Sequence, residues 1–221
     1  MAKALVVGAS GGIGAALVGA LSAEGHQVTP LSRSTDGLDI TDEASVAACM
    51  ARLQGPFDTV FIATGALEIG PHSPEKSLRA VTAAGLLAQF QTNAIGPMLV
   101  LKHLIPHLPR DRLVRVGILS ARVGSIGDNG LGGWYSYRSA KAALNQLVHT
   151  AAIELSRSHK QAVLALLHPG TVETSFTAKY AGHHPTVPPE AAAQNLLAVL
   201  SALGPAQSGG FYDWAGKPVP W

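Results

Sequence analysis

Residues 4–14 read Ala4-Leu5-Val6-Val7-Gly8-Ala9-Ser10-Gly11-Gly12-Ile13-Gly14. The first four form a short apolar run, of strand length and not helix length. The glycines that follow lack Cβ atoms, so the backbone can turn sharply and come close to a pyrophosphate. The helix expected from Gly12 to Glu24 would offer that group its free N–H donors. Glycine turns between a strand and a helix also have purely structural uses. With a strand before it and a helix after it at the start of the fold, this loop points to dinucleotide binding.

Working outward, short β-rich runs alternate with Ala/Leu-rich helical patterns. Strands are expected at Ala4–Val7, Gln27–Leu31, Thr59–Ala63, Leu113–Leu119 and Ala162–Leu167, with a last one near Gly210–Asp213. Helices are expected at Gly12–Glu24, Asp42–Leu53, Pro74–Leu108 with a break near Gln91–Thr92, Trp134–His159 and Pro189–Leu203. Apolar strands separated by helices imply an α/β fold with a parallel sheet covered on both faces. The expectation is a doubly wound sheet of the Rossmann type, as a single domain over residues 1–221. In such sheets ligands bind beyond the carboxyl ends of the strands.

The composition restricts function. Of 221 residues 47% are hydrophobic and 14% charged, which suits a folded globular chain. Sixteen basic against fourteen acidic residues leave a net charge of +2. Neither that balance nor any Lys/Arg cluster suggests a nucleic-acid partner. The single cysteine, Cys49, excludes an internal disulfide and suits a reducing compartment. No apolar stretch reaches the length of a membrane span, and the glycines arrive too soon for a signal peptide. A cytoplasmic protein is expected.

The second strand ends Leu31-Ser32-Arg33-Ser34. A site selecting NAD usually has an acidic residue here for the ribose 2′-hydroxyl, whereas the Arg33 guanidinium can grip a 2′-phosphate. NADP(H) is therefore expected over NAD(H), against the plainer reading of Arg33 as a solvated loop residue. In Leu38-Asp39-Ile40-Thr41, Asp39 could accept from an adenine amino group with Ile40 against the ring. It could equally be a turn aspartate, with Thr41 capping a helix. The third strand ends Ala63-Thr64-Gly65, where Gly65 permits close backbone approach.

The strongest chemical signal is Tyr137-Arg138-Ser139-Ala140-Lys141 at the start of a helix. Residues four apart share a helix face, so Lys141 stands one turn from Tyr137, while Tyr135 points elsewhere. A phenol is a poor acid–base catalyst at neutral pH, and an adjacent ammonium is expected to favour its ionised form.

Gly8-x-x-x-Gly12-x-Gly14, Asn93, a serine at a strand end, Tyr137-x-x-x-Lys141 and Pro169-Gly170 together resemble the short-chain dehydrogenase/reductase family over essentially the whole chain. Ser120–Ile126 with Gly132-Gly133-Trp134-Tyr135 resembles its C-factor-like subgroup. Departures are Val7 where the family has threonine, and Ala63-Thr64-Gly65 in place of Asn-Asn-Ala-Gly. The resemblance implies an NAD(P)-dependent oxidoreductase acting on a small carbonyl or alcohol substrate. Tyr137 would exchange the proton, Lys141 would bind the nicotinamide ribose and lower the tyrosine pKa, and Asn93 would anchor a relay water. Asn93 by itself could as well be a helix cap. The implied adenine contact favours the first reading of Asp39 and Ile40. A serine would hold the substrate oxygen. Alignment on Arg122-Val123-Gly124 puts that serine on Ala121, which leaves Ser120 and Ser125 as candidates; Ser120 is chosen because it closes the apolar strand, with Ser125 further out in the loop. Cofactor contacts are expected from Gly8, Ser10, Gly12, Ile13, Gly14, Arg33, Asp39, Ile40, Ala63, Thr64, Gly65, Asn93, Tyr137, Lys141, Pro169, Gly170, Val172 and Thr174.

Ser175–Pro188 would then be a short substrate lid. His103 and His107 lie four apart on an expected helix and His183-His184 in the lid, but no third ligand appears, so no metal is expected. Family members commonly pair through the helix after Trp134, which implies a homodimer or homotetramer. The rival to an enzyme is a dinucleotide-binding regulatory or signalling protein on the same fold.

Overall fold

The structure, a computed structural model, describes residues 1–174, 180 and 185–221. Six strands, β1 (Lys3–Val7), β2 (Gln27–Leu31), β3 (Thr59–Ile62), β4 (Val114–Leu119), β5 (Ala162–His168) and β6 (Phe211–Asp213), form one sheet in the order β2-β1-β3-β4-β5-β6. Every pairing is parallel. Each expected strand is present, with ends shifted by one residue or so. Because β1 neighbours both β2 and β3, the chain reverses its direction of travel beside the glycine loop. A crevice for a ligand opens at such a reversal.

Seven helices flank the sheet: α1 (Gly12–Ala23), α2 (Arg33–Asp36), α3 (Glu43–Ala51), α4 (Ala83–Phe90), α5 (Gly96–Leu104), α6 (Tyr135–Leu155) and α7 (Pro189–Ala202). Side chains alternate across a strand, and β1 divides accordingly between two cores. Leu5 and Val7 join Val46, Leu101, Leu104, Leu144 and Val148 beneath α3, α5 and α6. Ala4 and Val6 join Leu17, Leu21, Leu196 and Leu200 beneath α1 and α7. Burial on both faces explains why β1 and β5 are apolar almost throughout, while the edge strand β2 keeps Gln27 and Thr29.

The long helix expected over Pro74–Leu108 is shorter and compound. Residues 74–82 are not α-helical, because Thr82 accepts a hydrogen bond from Gly85 N–H and starts α4 there. The expected break near Gln91–Thr92 is a single π turn, Gln91–Ile95, which joins α4 to α5. Such turns insert one residue and recur at functional sites.

Candidate active site

The strand ends converge as the sheet topology requires. At the end of β1, Gly8 N–H and Ala9 N–H both donate to Leu31 O, at 2.8 and 3.0 Å, tying the loop to β2. Gly8 has φ +91°, and a Cβ there would lie 2.6 Å from Ala63 O. A Cβ on Gly14 would lie 2.1 Å from Gly8 O, so only glycine lets α1 come this close to the loop. Gly11 caps α1 without a side-chain hydrogen bond, leaving the first N–H groups of the helix pointing out past exposed Ser10. Thr174 comes to the same place: a Cβ on Gly12 would lie 2.6 Å from its Cγ2. Ile13 is half-buried and packs on the α1-side core.

At the end of β2, Ser32 is buried and its hydroxyl accepts from Thr35 N–H at 3.1 Å. That cap creates the short turn α2, which sequence reading missed, and sets Arg33 exposed at its start. Arg33 O accepts from Gly37 N–H at 3.1 Å, and among the described residues its guanidinium makes no hydrogen bond or ion pair. Asp39 makes turn contacts: its Oδ1 accepts from Thr41 Oγ1 at 2.6 Å and from Thr41 N–H at 2.9 Å. These bonds, led by the hydroxyl, hold its carboxyl below the usual range. The cap of α3 is Asp42, not Thr41, since Asp42 accepts from Ala44 N–H at 3.0 Å. Ile40 is half-buried and packs toward Gly96, whose added Cβ would meet Ile40 Cδ1 at 2.9 Å.

Beyond β3, Thr64 Oγ1 is buried without a hydrogen-bond partner, and Gly65 has φ +150°. A Cβ on Gly65 would lie 2.8 Å from Asn93 Oδ1 and 3.5 Å from Lys141 Nζ. Asn93 is fully buried in the π turn. Its amide grips the segment after β3: Oδ1 accepts from Ala66 N–H at 3.0 Å, and Nδ2 donates to Ala66 O and Gln89 Oε1, both at 2.7 Å.

Tyr137 and Lys141 are buried on one face of α6, 5% and 3% exposed, whereas Tyr135 is 37% exposed. Lys141 Nζ donates to Leu119 O at 3.0 Å and stands 5.9 Å from the Tyr137 ring centre. Burial pushes the Tyr137 phenol well above its ordinary value and pulls Lys141 down to about 8. The expectation that the ammonium would favour phenolate is therefore corrected for the cofactor-free chain. Desolvation of the phenolate outweighs a cation that is itself desolvated and turned toward a carbonyl.

Of the two serine candidates, one donates its hydroxyl proton within the fold and the other only accepts. Ser120, 4% exposed, donates to Asn145 Oδ1 at 2.6 Å, one turn beyond Lys141 on α6. Ser125, 2% exposed, accepts from Asp128 N–H at 3.1 Å. Sequence reading missed Asn145, although the four-residue steps from Tyr137 through Lys141 could have found it.

After β5, His168 is held neutral by burial, its pKa pulled down to about 4, and its Nδ1 has no hydrogen-bond partner. Pro169 and Gly170 turn the chain with Gly170 at φ +80°, close against Trp214. Val172 is buried and bridges to Val187. Residues 175–179 and 181–184, including His183 and His184, lie outside the described residues, so most of the expected lid cannot be placed. His103 Nε2 lies 3.3 Å from Glu43 Oε1, an ion-pair geometry tying α5 to α3. Among the described residues no three His, Cys, Asp or Glu side chains gather as metal ligands.

A dinucleotide fits these residues. The glycine cradle admits close backbone approach beside the free N–H groups at the start of α1, and Thr64 Oγ1 and His168 Nδ1 are unpaired polar atoms at the ends of β3 and β5.

Comparisons with known proteins identify the family and the fold. A family model described as Enoyl-(Acyl carrier protein) reductase matches residues 8–200. A 1-hydroxy-2-glutathionyl-2-methyl-3-butene dehydrogenase from Rhodococcus sp. strain AD45 is 34% identical over 207 residues, covering 91% of this chain and 83% of the relative. C-signal of Myxococcus xanthus is 37% identical over 141 residues, covering 64% of this chain and 81% of C-signal. In fold, the NADPH-bound carbonyl reductase from chicken fatty liver superposes with a TM-score of 0.83 at 23% identity, over 99% of this chain and 98% of that one. With sequence likeness running from the glycine loop through α7 on a sheet of this order, the chain belongs to the short-chain dehydrogenase/reductase family of NAD(P)-dependent oxidoreductases.

Proposed function

We propose that this protein is an NADPH-dependent carbonyl reductase, running in reverse as an alcohol dehydrogenase, with Tyr137 as the proton donor. The observation that carries the reading is the buried Tyr137–Lys141 pair on α6. A dinucleotide held by the glycine loop, with its nicotinamide end beside Lys141, would supply the hydride that a carbonyl carbon accepts. Tyr137, kept as a phenol by burial, gives its proton to the oxygen as negative charge develops there. Its phenolate is then stabilised by Lys141 and reprotonated from solvent. Lys141 also reaches toward Gly65 and Asn93, a position suited to a ribose hydroxyl. Asn93 holds the segment after β3 rigid beside it. As placed, the Ser120 hydroxyl donates to Asn145, so Ser120 would have to turn to hold the substrate oxygen, whereas Ser125 only accepts and keeps its own proton to donate.

Preference for NADPH rests on Arg33, exposed at the end of β2 where a 2′-phosphate would lie. The glycine loop, Thr64 and Thr174 would border the rest of the cofactor, with Pro169, Gly170 and Val172 along the nicotinamide. A homodimer or homotetramer through α6 fits its exposed Leu147 and Ile153. No helix among the described residues is long and apolar enough to cross a membrane. That fact, the near-balanced charge and the lone Cys49 support action on small molecules in the cytoplasm, without nucleic-acid or membrane partners. Likeness to C-signal favours a second reading, a dinucleotide-binding signalling protein with little turnover. A screen of NADPH oxidation over aldehydes, ketones and quinones separates the two. Turnover of at least one class is expected, and NADPH binding without any turnover would favour the signalling role.

A further inference from the structure

The start of α6, directly before Tyr137, is built against its local preferences. Gly132, Gly133 and Trp134 all have positive φ, at 66°, 67° and 52°. For a side chain as bulky as tryptophan this is a strained conformation that persists only where the surroundings enforce it. Trp134 is the cap residue of α6 yet offers its first turn no side-chain hydrogen bond. Tyr137 sits within that turn, where helices fray first.

A residue 61 positions away supplies what is missing. Glu75, from the segment between β3 and α4, is 7% exposed. Its carbonyl accepts Trp134 N–H at 2.6 Å. Its carboxylate accepts Ser136 Oγ–H at 2.5 Å on Oε1 and Ser136 N–H at 3.2 Å on Oε2. One residue thus holds the strained tryptophan and caps the helix with an anion at its positive end. Burial pushes the Glu75 carboxyl up, but hydrogen bonds led by the Ser136 hydroxyl outweigh it and keep it below the usual carboxylate range. The Trp134 ring in turn packs edge-on against Tyr137 at 6.2 Å and Tyr180 at 5.5 Å.

We propose that Glu75 is a positioning residue of the active site, fixing the Tyr137 hydroxyl and the Trp134 ring through its three bonds to the first turn of α6. The inference rests on the role proposed above for Tyr137. Nothing nearby in sequence would reveal Glu75, since the pairing is wholly tertiary.

The test uses the full chain with NADPH and 4-nitrobenzaldehyde, or the best carbonyl from the screen. Glu75→Ala should lower kcat about 100-fold, the size expected when a reacting group is misplaced by about an ångström. KM and the NADPH Kd should stay within about twofold. Glu75→Gln, whose amide oxygen can still accept Ser136 N–H, should recover about tenfold of the loss. Ser136→Ala, which removes one arm only, covers the case in which Glu75→Ala does not fold, and should cost about tenfold in kcat. Hydrogen exchange at the Ser136 amide should speed up in Glu75→Ala while the rest of α6 stays protected. Unchanged kcat in folded variants, an equal loss of NADPH affinity, no recovery by glutamine, or unchanged Ser136 exchange would each overturn the proposal. Should the wild type reduce no carbonyl at all, the reductase reading fails, and exchange at Ser136 alone decides whether Glu75 clamps the helix.

Discussion

Replacing Lys141 with methionine should make the cofactor-free protein more stable at pH 7, although it removes a residue of the proposed catalytic pair. Lys141 is 3% exposed and its pKa falls from 10.5 to about 8 on folding, because burial disfavours the ammonium. At pH 7 the folded chain carries that charge at a cost of about 3 kcal/mol relative to the unfolded chain, at 1.36 kcal/mol per unit of pKa. Methionine keeps the length and drops the charge, while leaving Leu119 O without its donor, at a cost of about 1 kcal/mol. A net gain of about 2 kcal/mol follows, or a urea midpoint about 1 M higher for a slope of about 2 kcal/mol per M. Between pH 8 and 10.5 the unfolded chain still holds the proton that the folded chain has shed, so wild-type stability rises with pH there. The advantage of the variant should therefore shrink to less than about 1 kcal/mol by pH 9.5. Urea unfolding of both proteins at the two pH values measures this. A variant less stable than wild type at pH 7, or a gap that ignores pH, would refute the claim that Lys141 is a desolvated cation.

Arg33→Ala should weaken NADPH binding about 10- to 100-fold by calorimetry, the loss expected for a charge-assisted phosphate contact, and leave NADH nearly unchanged. An equal effect on both cofactors would remove Arg33 from the 2′-phosphate. Between Ser120→Ala and Ser125→Ala, the residue that turns to hold the substrate oxygen should lose about 100-fold in turnover, and the other should stay near wild type in kcat. Loss in neither would leave Tyr137 as the sole donor to that oxygen. Light scattering should find a dimer or tetramer at micromolar concentration, and Ile153→Glu on the exposed face of α6 should shift it toward monomer. A monomeric wild type would contradict the pairing.

What was legible in the sequence was local. The strand, glycine loop and helix at residues 4–14 declare themselves because Gly14 answers a contact within the loop and Gly8 one at the adjacent strand end. Tyr137 and Lys141 declare themselves because a helix turns four-residue spacing into a shared face. Properties set by the rest of the fold were not legible. Spacing places Lys141 beside Tyr137 but says nothing of burial, so it predicts an ionised phenol where desolvation keeps a protonated one. The position of Ser120 after an apolar strand was readable, but the direction of its hydroxyl depends on Asn145 across the layer. The Ala/Leu pattern of Pro74–Leu108 continues past its true start because helix periodicity does not register that Glu75 is engaged 61 residues away.

The most direct test of the central claim is Tyr137→Phe, which removes one hydroxyl and keeps the ring that packs against Trp134. With NADPH and a carbonyl that the wild type reduces, turnover should fall about 10²- to 10⁴-fold, the contribution expected of a positioned general acid. NADPH affinity should remain within about twofold. Reduction by Tyr137→Phe at the wild-type rate would contradict the account and leave the proton donor elsewhere in the site.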